Sequence, residues 1–179
     1  ADLIHYRLLH EKTIDLVEQG EINTDHGKFD LHVFKDSTNG ETHLALVKGQ
    51  PTNQQATLVR VHTGSAVRDM FGAQLKDTPD WNIQRCLAHI ASEGCGVLVL
   101  LATSNGAKGW LEDAQIALGR RSKPAVLVTK GTDSLTIGVG SQILRQLGVQ
   151  KMRLMGPDKH YNGISGFDLE VVEYVACES

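Results

Sequence analysis

At 179 residues, with 41% hydrophobic and 22% charged side chains, the chain has the size and composition of one globular domain that buries its core without staples. A net charge of −3 gives no general attraction to nucleic acid or anionic membrane. No apolar run reaches the roughly 18 residues of a membrane span, and the first residues lack the basic, apolar, small order of a signal peptide.

Residues 1–14 place Leu3, Ile4, Leu8 and Leu9 near one side of a short helix. Residues 24–34 open with a turn and then alternate Phe29, Leu31 and Val33 with polar neighbours, the pattern of a half-buried strand. A loop of turn residues follows at 36–41, then a strand over 43–49 through Leu44, Leu46 and Val47. Residues 50–55 turn again, and 57–62 make a third strand. Three strands at such short spacing predict an antiparallel sheet, or part of a barrel, at the N-terminal end. His26, His32 and His43 share no tight ligand spacing and read as surface or core histidines rather than a metal site.

From Trp81 the period changes. Trp81, Ile83, Leu87, Ile90 and Ala91 fall on one face of a helix that stops at Gly94. Residues 96–101, GVLVLL, form a continuous apolar run, as for a strand buried on both faces. A short helix over 111–118, a buried strand over 124–129 and a helix over 141–147 closed by Gly148 come next, then strands over 151–155 and 169–175. The fold class is therefore α/β, with N-terminal antiparallel strands followed by an α/β layered half. Cys86, Cys95 and Cys177 are odd in number and lie on element-like segments, which points to a reduced, cytoplasmic protein. Cys86 and Cys95 read as small buried hydrophobes.

Residues 59–109 thus run strand, irregular loop, amphipathic helix, buried strand and Gly-rich turn. The loop is entered through Arg60-Val61-His62. Further on stand Gly138, Gly140, Gln142-Ile143-Leu144, Leu147-Gly148-Val149, Arg153-Leu154 and Leu169-Glu170-Val171-Val172-Glu173. This order resembles GTP cyclohydrolase II from roughly residue 24 to the C-terminus. The resemblance implies three zinc-binding cysteines in the loop, because opening the purine ring needs a water activated by a thiolate-bound zinc. Here Ser65 stands where the first thiolate belongs, and residues 75–81, LKDTPDW, where the other two belong; no sulfur is present. Zinc is expected for the family but not for this chain.

The remaining positions of the family pattern depart in the same direction. The turn at 103–108 lacks the family's Glu and Arg, Ile116 replaces a Tyr, and Leu135 replaces the Arg assigned as nucleophile. The Thr that contacts the nucleotide is missing from 155–160. Asp133 is the one catalytic position retained. Arg60 and His62 keep the motif beside the nucleotide, and Asn82 sits where a Gln reads the base, so these three are the candidates for residual nucleotide binding. For Arg60 the alternative is a surface charge on a strand. Lys159 and His160 read as phosphate contacts or as a solvated turn. Residues 138–144, GVGSQIL, also look like an incomplete Gly-rich nucleotide loop.

The resemblance further implies that residues 1–20 are a connector helix from an upstream dihydroxybutanone-phosphate synthase, with the cyclohydrolase-like domain over 21–179. The chain begins at Ala1, as expected of a processed or excised piece. A homodimer is implied, with no nucleic-acid or membrane partner. The expected function is structural or regulatory support of the attached synthase by a domain that has lost its own chemistry. The alternative is a nucleotide-binding hydrolase of the riboflavin pathway, either GTP cyclohydrolase II itself or one of altered chemistry, with Asp133 as general base and Lys108 or Lys159 as its electrostatic partner. Without a metal to pin it, the loop over 63–80 is expected to be mobile.

Overall fold

The run GVLVLL becomes β5 (Gly96–Leu101), and both of its faces are covered because it lies inside a seven-stranded mixed sheet. This computed structural model describes Leu3 and residues 11–74, 80–102, 106–120, 132–156 and 164–178. β1 (Ile14–Thr24), β2 (Gly27–Asp36) and β3 (Thr42–Lys48) form an antiparallel meander, and β3 pairs antiparallel with β5. β4 (Thr57–Thr63), β6 (Lys151–Met155) and β7 (Glu170–Val175) complete the order β1-β2-β3-β5-β4-β6-β7, all parallel beyond β5.

Two expectations are overturned here. Residues 14–20 are not part of a connector helix, since β1 begins at Ile14 and pairs along its length with β2. The strand is hard to read because it is an edge strand, mostly exposed, with a register shift between Leu16 and Glu18 that breaks the alternation. β4 also does not extend the N-terminal meander. Thr57, Leu58 and Val59 are all buried, and β4 sits between β5 and β6, parallel to both. Such parallel pairing needs a helical crossover.

The crossovers set the layers. α1 (Ile83–Glu93) links β4 to β5 and packs Cys86, Leu87 and Ile90 on Leu58 and Leu98. α3 (Thr132–Gln146) lies in the path from β5 to β6 and packs Val139, Ile143 and Leu144 on Val59, Val97 and Val99. Alternate residues of the same strands thus feed two cores, one on each face. The chain steps one way along the sheet from β4 to β5 and the opposite way to β6. Right-handed crossovers in opposite directions require helices on opposite faces.

α1 ends as its sequence suggests, at Gly94 with φ 81°, whose N–H bonds Ile90 O. α3 starts nine residues before the expected 141, so Gly138 and Gly140 are in a helix interior and not in a nucleotide loop. A Cβ at Gly140 would lie 3.4 Å from Val61 Cγ1, so the glycine lets the helix settle close to β4. α2 (Gly106–Ala117) begins five residues before the helix expected over 111–118 and ends one residue short of it, at Ala117. The strand expected over 124–129 lies outside the described residues. Among the described residues no helix is long and apolar enough to cross a membrane.

Gly96 has no room for a side chain: a Cβ there would come within 2.8 Å of Ile90 Cγ1 and 3.0 Å of Leu58 O. Gly96→Ala is expected to destabilise the domain by about 1–3 kcal/mol. Gly20→Ala, where a Cβ meets nothing within 4 Å, should change stability by less than about 0.5 kcal/mol. Urea unfolding of the two variants measures the contrast, and equal midpoints would contradict this packing.

Candidate functional site

The carboxyl end of β4 is where a loop leaves the middle of the sheet, a position that favours ligand sites in α/β folds. Arg60 and His62 share the sheet face that α1 covers, because their parity matches Leu58. Arg60 pairs with Leu98, and His62 with Leu100. His62 is 1% exposed. After Thr63 the chain turns into a short π-helical turn, Ala66–Met70, for which Ser65 is the N-cap.

That turn aims Asp69 back at the strand. His62 Nε2 donates to the Asp69 carboxylate, at 2.9 Å from Oδ1 and 3.0 Å from Oδ2, and Ser65 N–H donates to Oδ2 at 2.7 Å. The other ring nitrogen, His62 Nδ1, accepts from Arg60 Nη2 at 3.4 Å, while Arg60 Nη1 donates to Met155 O at 3.0 Å. Gly156 leaves space for this guanidinium, since a Cβ would stand 3.3 Å from Nη1. Arg68 Nη2 donates to Thr63 O at 3.0 Å, and Arg68 Nε lies 3.5 Å from Asp69 Oδ1. With Nε2 of His62 committed to the carboxylate, the nearby Arg68 Nη2 at 3.2 Å finds no acceptor in that ring.

The result is a closed relay, Arg60 to His62 to Asp69 to the Ser65 amide. Burial pushes the Asp69 carboxyl upward, but the His62 hydrogen bond, the Ser65 amide and the neighbouring Arg68 charge outweigh it and hold it below the ordinary range. Arg60 is half-buried and already tied to β6, so it is not the free surface charge of a strand end. Its Nε and that of Arg68 are buried without hydrogen-bond partners.

The sequence candidates are only partly brought together. Arg60 and His62 touch. Asn82 instead caps α1, its Oδ1 accepting from Arg85 N–H at 2.8 Å, and among the described residues no hydrogen bond joins it to the other two. Asp133 falls on the first turn of α3; its side chain lies outside the described residues, as do Lys108, Leu135, Lys159 and His160. Ser65, at the expected place of the first thiolate, caps the π-helical turn, with Arg68 N–H 3.5 Å from Oγ. Residues 75–79 are outside the described residues. The three histidines are put to separate uses: His26 bonds Gln84, His43 Nδ1 accepts from Ala102 N–H, and His32 is buried on β2.

Asp69 and Arg68 carry the site and were not singled out by sequence. A capping box would place its acid three residues after Ser65, at Arg68. The acid comes one residue later, and the wider π-helical turn brings it round to the amide. Cys86, in contrast, is the buried hydrophobe its helix position suggests: burial pushes its thiol up to about 12, and the nearby Arg60 charge offsets little of that.

Asp69→Ala should cost about 1–3 kcal/mol at neutral pH by leaving His62 Nε2 and the Ser65 amide unsatisfied. The native carboxyl titrates below its unfolded value, so its contribution is complete above about pH 4 and is lost as the pH falls through the lower folded pKa. Urea midpoints measured from pH 7 to pH 2.5 should therefore fall less steeply in the variant than in the wild type. Parallel curves would remove Asp69 from the acid response.

The model of the family described as GTP cyclohydrolase II matches residues 15–176. A 3,4-dihydroxy-2-butanone 4-phosphate synthase of Pseudomonas aeruginosa is 41% identical over 179 residues, covering 99% of this chain and 47% of that protein. A riboflavin biosynthesis protein RibBA of Parabacteroides distasonis is 34% identical over 194 residues, covering 99% and 45%. Among solved structures, RibBX of A. baumannii, a two-domain 3,4-dihydroxy-2-butanone 4-phosphate synthase, superposes with a TM-score of 0.67 at 35% identity, covering 99% of this chain and 44% of that one. The chain therefore spans less than half the length of these relatives, and the family match takes in β1 from its second residue. On a match that runs from the first strand of the sheet to its last, the chain belongs to the GTP cyclohydrolase II family and is related to proteins of riboflavin biosynthesis.

Proposed function

We propose that this domain does not open the GTP ring and instead gives structural or regulatory support to a 3,4-dihydroxy-2-butanone 4-phosphate synthase. The observation that carries the reading is the closed relay at the end of β4. His62 and Asp69 are bonded to each other, and Ser65 is spent on the same turn.

The donors on this side of the sheet do not fit a three-thiolate zinc. No cysteine lies between Thr63 and Arg85, and a serine hydroxyl stays protonated and is a poor zinc ligand. Cys86, the nearest thiol in sequence, is fully buried in the apolar core between α1 and the sheet, packed with Leu58, Ile90 and Leu98. Without such a centre the family reaction has no source of activated water, and Leu135 and Ile116 bring no polar group where the family pattern has an Arg and a Tyr. Longer relatives that match this chain over 99% of its length are 3,4-dihydroxy-2-butanone 4-phosphate synthases, which supports a synthase as the partner.

The same reading includes a homodimer. Met70 and Phe71, at the end of the π-helical turn, and Trp110 and Leu111, on α2, are large exposed hydrophobes on two elements in contact. A surface of this kind marks association sites. Sedimentation of the purified chain should give twice the monomer mass, and Trp110→Glu should shift it toward monomer.

The deciding experiment is GTP turnover with zinc supplied, beside an authentic GTP cyclohydrolase II. The expected result is no ring-opened pyrimidine above a protein-free control. Product formed at an enzyme's rate would overturn the reading and restore that of a hydrolase.

A further inference from the structure

On the sheet face opposite Arg60 and His62, β1, β2 and the end of α3 enclose a half-open groove of about 660 Å³. That volume lies within the range of small-molecule sites. Its apolar lining is Leu16, Phe34, Val47 and Leu147. Phe34 and Val47 belong to the core beneath α3, which fixes the groove to that face.

The polar groups of the groove are largely unspent. His32 is nine-tenths buried on the groove wall, and its Nδ1 is enclosed with no hydrogen-bond partner. Its ring is nearly parallel to that of Phe34, with centroids 6.3 Å apart and planes at 12°. A buried polar atom left unpaired costs about 1–3 kcal/mol, and such atoms call for a reason. Gln19, Gln50 and Asp30 also line the groove and have no side-chain hydrogen bond or ion pair among the described residues. Gln146 gives its Nε2 to Ile14 O at 2.7 Å, which leaves its carbonyl oxygen available. No lysine or arginine is among the described lining residues.

We propose that this groove is a second binding site, for an uncharged planar nitrogen heterocycle. Leu16, which is exposed, and Leu147 can cover the face of a flat ring. Carboxamides can pair with a ring edge that alternates donors and acceptors, and Asp30 can accept from an amino or ring N–H group. Lack of a cation among the described lining residues disfavours a phosphate-bearing form of the same ring. A bound ring touches both β1 and α3, so it reinforces the seam already made by the Gln146 bond to Ile14 and by the buried pairing of Thr13 with Gln142. The site is independent of what happens at the end of β4.

The test titrates the full chain with riboflavin and guanosine, two uncharged heterocycles, and with flavin mononucleotide as the charged counterpart of the first. Readouts are flavin fluorescence and the NMR resonance of the His32 ring. Saturable binding of one neutral probe, with a shift of the His32 resonance, is expected. Gln19→Trp, a rim substitution that fills the groove, should weaken it at least tenfold, and so should His32→Leu. Circular dichroism of the Gln19 variant checks that the fold is kept. No saturable response to either neutral probe would overturn the proposal. So would binding that neither substitution alters, or flavin mononucleotide binding as tightly as riboflavin.

Discussion

β5 takes an antiparallel partner, β3, on one side and a parallel partner, β4, on the other. Everything else in the domain is placed by that junction. On the antiparallel side, short turns suffice and the sheet continues outward as a meander. On the parallel side each step needs a long return, and the returns supply the helices that cover both faces. The same junction brings the carboxyl ends of β4 and β5 together and leaves the loop after His62 over that end of the sheet.

At this end the chemistry is that of mutual satisfaction. Charges taken out of water are tolerated when paired and hydrogen-bonded, and the Arg60, His62 and Asp69 series meets that requirement almost entirely within the chain. A carboxylate that accepts from a ring N–H and a backbone amide organises its loop as a metal would, by converging several donors on one point. It offers nothing Lewis-acidic in return. Among the described residues, only the two guanidinium nitrogens Arg60 Nε and Arg68 Nε are left buried without partners there, and the groove on the far face carries more unpartnered polar groups. Its walls are finished, but its hydrogen-bonding groups are left open.

Sequence alone carried much of this. Apolar runs located β5, the helix from Ile83 to Gly94 and the strands β2, β3, β6 and β7, because burial on one or both faces writes a clear period. β1 escaped because an exposed edge strand with a register shift has little buried face to show. The neighbours of β4 were misjudged because a strand buried on both sides carries no mark of which strand it lies beside. Gly138 and Gly140 suggested a loop, since the reason for glycine at 140, close approach to Val61, exists only in three dimensions. At the site, Arg60 and His62 were legible through the family motif. Asp69 was not, because its role depends on how one π-helical turn curls.

The strand order also bears on how the chain is made. β1, β2 and β3 pair with one another through short turns and can zip together as they leave the ribosome. β4 cannot complete its pairing so early: Val59 lies opposite Leu154, 95 residues later (154 − 59 = 95). β7 must then close over β6 before the Trp81 indole meets its acceptor, Val175 O, at 2.7 Å. Through that interval Leu58 and Val59, fully enclosed in the finished domain, stand on an open edge, the kind of surface on which chains pair wrongly. The most vulnerable period for this domain is its own synthesis, and the pairing of β6 and β7, residues 151–175, ends it.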